Sequence, residues 1–186
     1  VFPDPEPETL PPWTSDSSRY AILSSGGKES LLSFGLLREL GSETHPVFVN
    51  ESGRHWFTAL NAYRYFKTHE PHTAKPWCNS DRVFNWMLKQ LPFIREDFAS
   101  VRADIYPIRL WTVGVFIFGA LPLVRKTGAG NIIIGNEYDT SMKTSFEGIT
   151  HYDCLYDQSK YFDMALTRYY TKKGWNTFQY SILRSL

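Results

Sequence analysis

Short apolar runs alternate along the chain with longer stretches in which apolar side chains recur at helical spacing. The runs have the length of strands and are bounded by polar turns, whereas the stretches show the spacing of a helix with one buried face. Strands are predicted at residues 20–23, 45–49, 131–134 and 177–182. Helices are predicted at residues 31–40, 56–66, 83–91, 110–124 and 161–169, with Asp157 as the cap of the last helix and Gly174 as its end. Residues 67–81, which include two prolines, are predicted to form a loop.

Repeated strand–turn–helix units of this kind predict an α/β fold, an open and mostly parallel sheet with helices on both faces. The proline-rich and acidic residues 1–18 cannot bury much surface, so we expect a linker or the end of an upstream region there. Residues 19–186 are expected to form one domain, as a fragment of a longer chain.

The composition limits the classes of partner. At 186 residues, of which 42% are hydrophobic, the chain can bury one good core. The formal net charge is +1 without a basic block, so we expect no nucleic-acid partner. Cys78 and Cys154 are far apart, which argues against a disulfide scaffold and favours a cytoplasmic protein. Glycine and proline interrupt the longest apolar run, so we expect no membrane segment.

The turn between the first strand and the first helix has the composition of an anion-binding loop. It reads Ser24-Ser25-Gly26-Gly27-Lys28-Glu29-Ser30. Adjacent glycines let the backbone approach a ligand closely, and the helix that follows points unpaired N–H groups at the same place. Hydroxyl donors and the Lys28 ammonium group favour polyphosphate over a carboxylate. The spacing excludes a Walker A loop, and the alternative is a plain connection in which Ser30 caps the helix.

Two further polar turns follow predicted strands. Residues 50–52 follow the second strand, and residues 136–139 come after the strand at residues 131–134 and Gly135. Because ligands bind beyond the carboxyl ends of parallel strands, we expect these turns and the glycine turn to face one crevice.

Residues 25–30 resemble the Ser-Gly-Gly-X-Asp-Ser signature of the PP-loop ATP pyrophosphatases, with Glu29 in place of the usual aspartate. The resemblance implies a nucleotide-binding domain that binds ATP with Mg²⁺, adenylates a substrate oxygen and releases pyrophosphate. It implies that Lys28 neutralises the leaving pyrophosphate. The nucleotide-binding residues that it implies are Ser24, Ser25, Gly26, Gly27, Lys28, Glu29, Ser30, Val49, Asn50, Gly135 and Asn136. The magnesium ligands that it implies are Glu29, Glu137 and Asp139, although the last two also suit an ordinary solvated turn.

Four other segments are similar to the members of this superfamily that epimerise the terminal L-glutamate of UDP-N-acetylmuramoyl-L-alanyl-L-glutamate, a peptidoglycan precursor. The segments are residues 82–87, 104–111, 135–138 and 178–185. This resemblance implies a carboxylate-bearing small-molecule substrate. An acyl adenylate withdraws electron density from the neighbouring carbon, so adenylation followed by inversion is sound chemistry.

Epimerisation needs a group that moves the α-proton. His151, Tyr152 and Cys154 are candidates because such side chains titrate near neutral pH or can be tuned to do so, although they also suit packing or capping roles. Arg82 and Arg109 are candidates for binding the substrate's carboxylates or diphosphate, because a guanidinium group pairs with both oxygens of an anion.

Other functions fit the same loop. One is a different adenylating PP-loop enzyme that forms amides or modifies tRNA, and the near-neutral charge argues against the tRNA enzyme. Another is a non-catalytic module that binds adenine nucleotides. A zinc site built from His69, His72 and Cys78 is a further alternative, although no second pair of ligands occurs. The sequence does not specify the acceptor or the oligomeric state.

Overall fold

A computed structural model describes residues 11–102, 105–106, 108, 112–136, 142–152 and 156–182. The strands are β1 (Asp16–Leu23), β2 (Glu43–Val47), β3 (Ala129–Ile134), β4 (Lys143–Phe146), β5 (Ile149–Tyr152) and β6 (Phe178–Ser181). The helices are α1 (Lys28–Glu39), α2 (Arg54–His69), α3 (Ser80–Gln90), α4 (Thr112–Thr127) and α5 (Lys160–Lys172), with a short 3-10 helix at Tyr156–Gln158.

Four strands form the main sheet, in the order β2-β1-β3-β6. All three pairings are parallel, and β1 lies between β2 and β3. The chain therefore forms β1 first, adds β2 on one side of it, and returns to add β3 on the other side. The turns after β1 and β3 flank the point at which the strand order reverses, which is where open α/β sheets bind ligands.

Strand residues alternate between the two faces of the sheet, and each face is covered by helices. Ala21 and Leu23 belong to a core that includes Ile117 of α4 and Tyr170 of α5. Ile22 lies between them in sequence and packs on the opposite face, in a cluster with Ile133 of β3 and Leu37 of α1. This two-residue alternation confirms the predicted parallel sheet with helices on both faces.

A short extended segment widens the sheet beyond β2. The N–H of Phe48 donates to the carbonyl of Ala74 over 2.9 Å, and the N–H of Asn50 donates to the carbonyl of Pro76 over the same distance. Both carbonyl acceptors belong to the predicted loop at residues 67–81. Part of that loop therefore lies along the edge of the sheet.

The chain enters the sheet earlier than the hydrophobic pattern predicts. β1 begins at Asp16 rather than at Tyr20, because its exposed first residues pair through their backbone and contribute little burial. Trp13 is buried in the main core and packs against Trp175 with tilted rings, whose centroids are 5.2 Å apart. The described end of the predicted linker is therefore part of the packed structure, while residues 1–10 lie outside the described residues.

Two elements differ from the prediction in kind. The strands β4 and β5 form an antiparallel hairpin that was not predicted, with Glu147 and Gly148 at positive φ in its turn. The predicted cap of the last helix was wrong, because Ser159 accepts the hydrogen bond from the N–H of Phe162 at the start of α5. Gly174 has a φ of 68° just after α5, as expected for the residue that ends a helix.

Of the helices in the described part of the chain, none combines the length and the apolar character needed to cross a lipid bilayer.

Candidate functional site

The turn after β1 is held in one shape by its own serines. Ser24 Oγ accepts a hydrogen bond from the N–H of Gly26 over 3.1 Å and lies 2.9 Å from Ser30 Oγ. Gly26 has a φ of 79°, and a Cβ there would lie 3.0 Å from the Cβ of Ala62 in α2. This position therefore favours glycine twice, through its backbone angle and through its close contact with α2.

α1 begins directly at this turn, three residues earlier than predicted. Gly27 is its N-terminal cap residue, and glycine has no side chain with which to cap the helix. Ser30 is inside the first turn of α1 and donates through Oγ to the carbonyl of Gly27, so the alternative in which Ser30 caps the helix is wrong. The first N–H groups of α1 thus point out of the helix at the glycine turn, as an anion-binding site requires.

The turn after β3 packs against the same helix end. A Cβ on Gly135 would lie 2.5 Å from the carbonyl carbon of Glu29 and 2.6 Å from the nitrogen of Ser30, so the two backbones are in direct contact. Asn136 is buried, and its Nδ2 donates to Ser181 Oγ over 2.9 Å. These two contacts fix the β3 turn between α1 and the end of β6.

A cavity of about 220 Å³ opens between the turns. Its apolar lining is Leu23, Val47, Val49, Ala59, Val113, Phe116 and Ile134. Its other lining residues are Ser24, Ser25, Glu29, Ser30, Glu51, His55, Gly135, Asn136 and Gln158. The cavity therefore joins an apolar surface, suited to a flat ring, to the polar backbone of the glycine turn.

Seven of the predicted nucleotide-binding residues line this cavity. They are Ser24, Ser25, Glu29, Ser30, Val49, Gly135 and Asn136. Among the described residues that do not line it, Gly26 and Gly27 form the adjoining turn. Asn50 instead accepts a hydrogen bond from the N–H of Ser52 through its side chain. Lys28 starts α1 with its side chain 83% exposed and its Nζ 3.3 Å from Glu29 Oε1.

The predicted substrate, base and metal residues are placed less completely. Arg82 is exposed on α3 and is not among the described residues that line the cavity. The backbone of His151 pairs with Thr144 in the hairpin, and its side chain lies outside the described part of the structure. Four other predicted residues also lie outside it: Arg109, Glu137, Asp139 and Cys154.

Nine lining residues do not belong to the predicted nucleotide-binding set, although one of them, Glu51, lies in the polar turn at residues 50–52 that was expected to face the crevice. They are Leu23, Val47, Glu51, His55, Ala59, Val113, Phe116, Ile134 and Gln158. Glu51 and His55 follow β2 and begin α2, so their position after a strand was a usable signal. Val113, Phe116 and Gln158 come from elements much later in the chain, and only the fold brings them to the cavity.

The zinc alternative finds no support. Within the described ranges, no three His, Cys, Asp or Glu side chains are grouped closely enough to hold a metal ion. The ring of His69 stacks on Tyr65, the ring of His72 lies against His45, and Cys78 Sγ lies 3.2 Å from Ser80 Oγ. These three predicted ligands therefore have separate surroundings.

A buried carboxylate next to the cavity has a structural task. Asp157 Oδ2 accepts hydrogen bonds from the N–H groups of Val113 and Gly114, at 2.8 and 3.3 Å, and so caps the start of α4. Burial raises the pKa of Asp157, and the two backbone donors lower it less than burial raises it. Asp157 thus fixes Val113, which lines the cavity, rather than capping its own helix.

Comparison of the chain with protein-family models gave no match, and comparison with curated proteins gave none either.

Proposed function

We propose that this chain binds ATP in the cavity, with the phosphates at the turn after β1, and cleaves it to AMP and pyrophosphate. The observation that carries the proposal is that α1 starts directly at the glycine turn, at the point where the strand order reverses and beside the cavity. The cavity is smaller than the roughly 300–1,000 Å³ of drug-sized sites. It suits a nucleoside whose phosphates extend to the turn.

The residues of the turn supply what pyrophosphate needs as a leaving group. The N–H groups at the start of α1 and the positive end of its dipole stabilise the charge that develops on the phosphate oxygens. Lys28 stands at the same helix end with a largely exposed side chain, and an ammonium group there adds positive charge next to the phosphates.

Glu29 fits the magnesium role that the family resemblance implies. Its carboxylate lines the cavity beside the helix N terminus, and carboxylate oxygens are preferred ligands of Mg²⁺. The ion would neutralise charge on the triphosphate. Glu137 and Asp139, which complete the proposed set, lie outside the described residues.

As the acceptor we propose the α-carboxylate of the terminal L-glutamate of UDP-N-acetylmuramoyl-L-alanyl-L-glutamate, on the strength of the four similar segments. A carboxylate oxygen attacks the α-phosphorus, and the bond to pyrophosphate breaks. A base removes the α-proton of the acyl adenylate, and a proton returns to the opposite face. Water then hydrolyses the acyl adenylate to the D-glutamyl product and AMP.

The proposal is tested in deuterium oxide with a chain that contains residues 1–186. With ATP, Mg²⁺ and the L-glutamyl nucleotide, we expect the product to gain deuterium at the glutamate α-carbon, and to gain none without ATP. His151→Ala or Cys154→Ala should slow this incorporation while ATP–pyrophosphate exchange continues, because activation and proton transfer use different groups. Mass spectrometry and chiral analysis of the released glutamate give the readout.

Each rival function gives a different result in the same assay. A different adenylating enzyme would show pyrophosphate exchange only with another acceptor, and no deuterium would enter the glutamyl substrate. A non-catalytic module would bind ATP without any exchange. Full deuterium incorporation in both variants would remove His151 and Cys154 as the base.

A further inference from the structure

Glu51 is a buried residue, and one oxygen of its carboxylate has no hydrogen-bonding partner in the described part of the chain. The residue is 3% exposed, and its Oε1 has no partner within the described structure. An unpaired buried acceptor costs roughly 1–3 kcal/mol, and more when it is charged. Glu51 lines the cavity proposed for the nucleotide. A polar group kept there at such a cost needs an explanation other than stability.

The backbone at Glu51 is fixed by hydrogen bonds to the segment at residues 78–81. The carbonyl of Glu51 accepts a hydrogen bond from the N–H of Asp81 over 3.3 Å. Its neighbour Ser52 donates through Oγ to the carbonyl of Cys78 over 3.0 Å and has a φ of 66°, which is uncommon for a residue other than glycine. Strained backbone of this kind clusters at binding sites, where the surrounding structure maintains it.

The other charged groups at the cavity make Glu51 distinct. Glu29 lines the same cavity, but its Oε1 is 3.3 Å from Lys28 Nζ, so its charge is partly balanced. His55 is exposed. An unbalanced carboxylate repels phosphate, so a nucleotide can approach Glu51 only with neutral donor groups.

We infer that Glu51 accepts hydrogen bonds from the ribose hydroxyls of the bound nucleotide. This inference rests on the proposed ATP site. Glu51 follows β2, and the glycine turn follows β1, the strand that pairs with β2. An acidic side chain that follows the second strand, next to a phosphate turn after the first, is the arrangement with which dinucleotide-binding folds hold a ribose hydroxyl. Val47, Val49 and Phe116 offer apolar surface for the base in the same cavity.

The test is a binding comparison by calorimetry, with Mg²⁺ present and no acceptor substrate. The ligands are ATP, 2′-deoxy-ATP and 3′-deoxy-ATP, and the proteins are the parent chain, Glu51→Ala and Glu51→Gln. We expect the parent to bind ATP roughly tenfold or more tightly than the weaker of the two deoxy analogues, as the loss of a charge-assisted hydrogen bond predicts. Glu51→Ala should bind ATP and that analogue almost equally, and Glu51→Gln should lie between.

Glu39→Ala is the matched control, because Glu39 is an exposed carboxylate at the end of α1 and is not a lining residue of the cavity in the described structure. It should keep the parent's preference for ATP. If Glu51→Ala weakens all three ligands equally, or none, the inference is wrong although the ATP site stands. If the parent binds no ATP, the proposed function and the inference fail together. Inosine triphosphate, which lacks the adenine amino group, is a fourth ligand. If Glu51→Ala loses the parent's preference for ATP over inosine triphosphate and keeps its preference for ATP over the deoxy analogues, Glu51 binds the adenine amino group and the ribose assignment is overturned.

Discussion

Three glycines at the cavity have different local requirements. Gly26 adopts a backbone angle that other residues rarely adopt, and it touches α2. Gly135 leaves no space for a side chain, because its backbone is in contact with the first turn of α1. Gly27 has an extended backbone, with a φ of −79° and a ψ of 164°, so it lacks both constraints. The fold explains the first two glycines, whereas close approach of a ligand is the better explanation for Gly27.

Gly27→Val should therefore separate binding from folding. A Cβ there would lie 3.4 Å from Ser25 Oγ and 3.6 Å from Glu29 Oε2, which are ordinary contacts, and a β-branched residue suits an extended backbone. We expect a circular dichroism spectrum and a thermal midpoint close to those of the parent. ATP binding by calorimetry should fall by tenfold or more, because the side chain occupies the space beside the N–H groups.

Gly35→Ala is the control, because a Cβ there meets nothing within 4 Å. It should leave ATP binding unchanged and stabilise α1 by about 0.5–1 kcal/mol, the usual advantage of alanine over glycine in a helix. Parental ATP affinity in Gly27→Val would show that the phosphates bind elsewhere.

At the scale of elements, contacts between distant segments decide where a helix starts. Asp157 has the sequence signal of a helix cap, but it caps α4, whose first residues precede it by more than forty positions. Ser159 caps α5 instead. Local pattern identifies a capping residue type and cannot say which helix it serves, because the choice depends on tertiary packing.

The buried charge of Asp157 should make stability depend on pH. Its pKa is raised in the folded state above the ordinary value of 3.8, chiefly by burial. The stability linked to this shift is complete below pH 3.8 and is lost as the pH rises through the folded-state pKa. Asp157→Asn keeps an acceptor for Val113 and Gly114 and has no charge. We expect the parent to lose unfolding free energy relative to this variant as pH rises from about 3.8, measured by urea titration.

Asp97→Asn is a control of opposite sign. Hydrogen bonds from Arg95 lower the pKa of the exposed Asp97, so its contribution is present above pH 3.8 and is lost as the pH falls. The unfolding free energy of the parent should rise slightly relative to that of Asp97→Asn as the pH rises. A difference between the parent and Asp157→Asn that does not change with pH would contradict the assigned pKa direction.

At the scale of the whole molecule, the parallel sheet could be expected from the sequence, whereas the elements at its margins could not. The apolar runs at β1 and β3 and the glycines beside them predicted the parallel core and the turns that meet at its edge. The hairpin of β4 and β5 was missed because Phe146 and Ile149 are exposed, and without a buried face the strands lack an alternating pattern. Its Glu147-Gly148 turn was the available local signal.

The site was predictable where its residues directly follow predicted strands. Of the seven predicted residues that line the cavity, six lie in the glycine turn and the β3 turn, which follow strands that pair with each other, and Val49 follows β2. Phe116 and Gln158 could not be expected there, since they reach the cavity through the packing of α4 and of the 3-10 helix. Glu51 lies in the polar turn that was expected to face the crevice, but the burial of its Oε1 without a partner is visible only in the fold.

The same whole-molecule packing joins the two ends of the described chain. Trp13 is 6% exposed and packs against Trp175 with tilted rings. The guanidinium carbon of Arg125 lies over the Trp13 ring, 5.7 Å from its centroid. Its Nε1 is buried without a partner in the described structure, so the stabilisation comes from ring packing rather than from a hydrogen bond. The core on one face of the sheet thus depends on a segment that the sequence pattern assigned to a linker.

Trp13→Ala should consequently destabilise the whole domain, by about 3–5 kcal/mol, the usual loss for a large aromatic side chain removed from a core. Urea unfolding followed by circular dichroism measures this directly, because the signal does not depend on the tryptophan that is removed. Trp13→Phe should cost much less, since it keeps an aromatic ring against Trp175 and removes an N–H that has no acceptor there. A loss below about 1 kcal/mol for Trp13→Ala would mean that this segment is attached loosely and acts as the linker that its composition suggests.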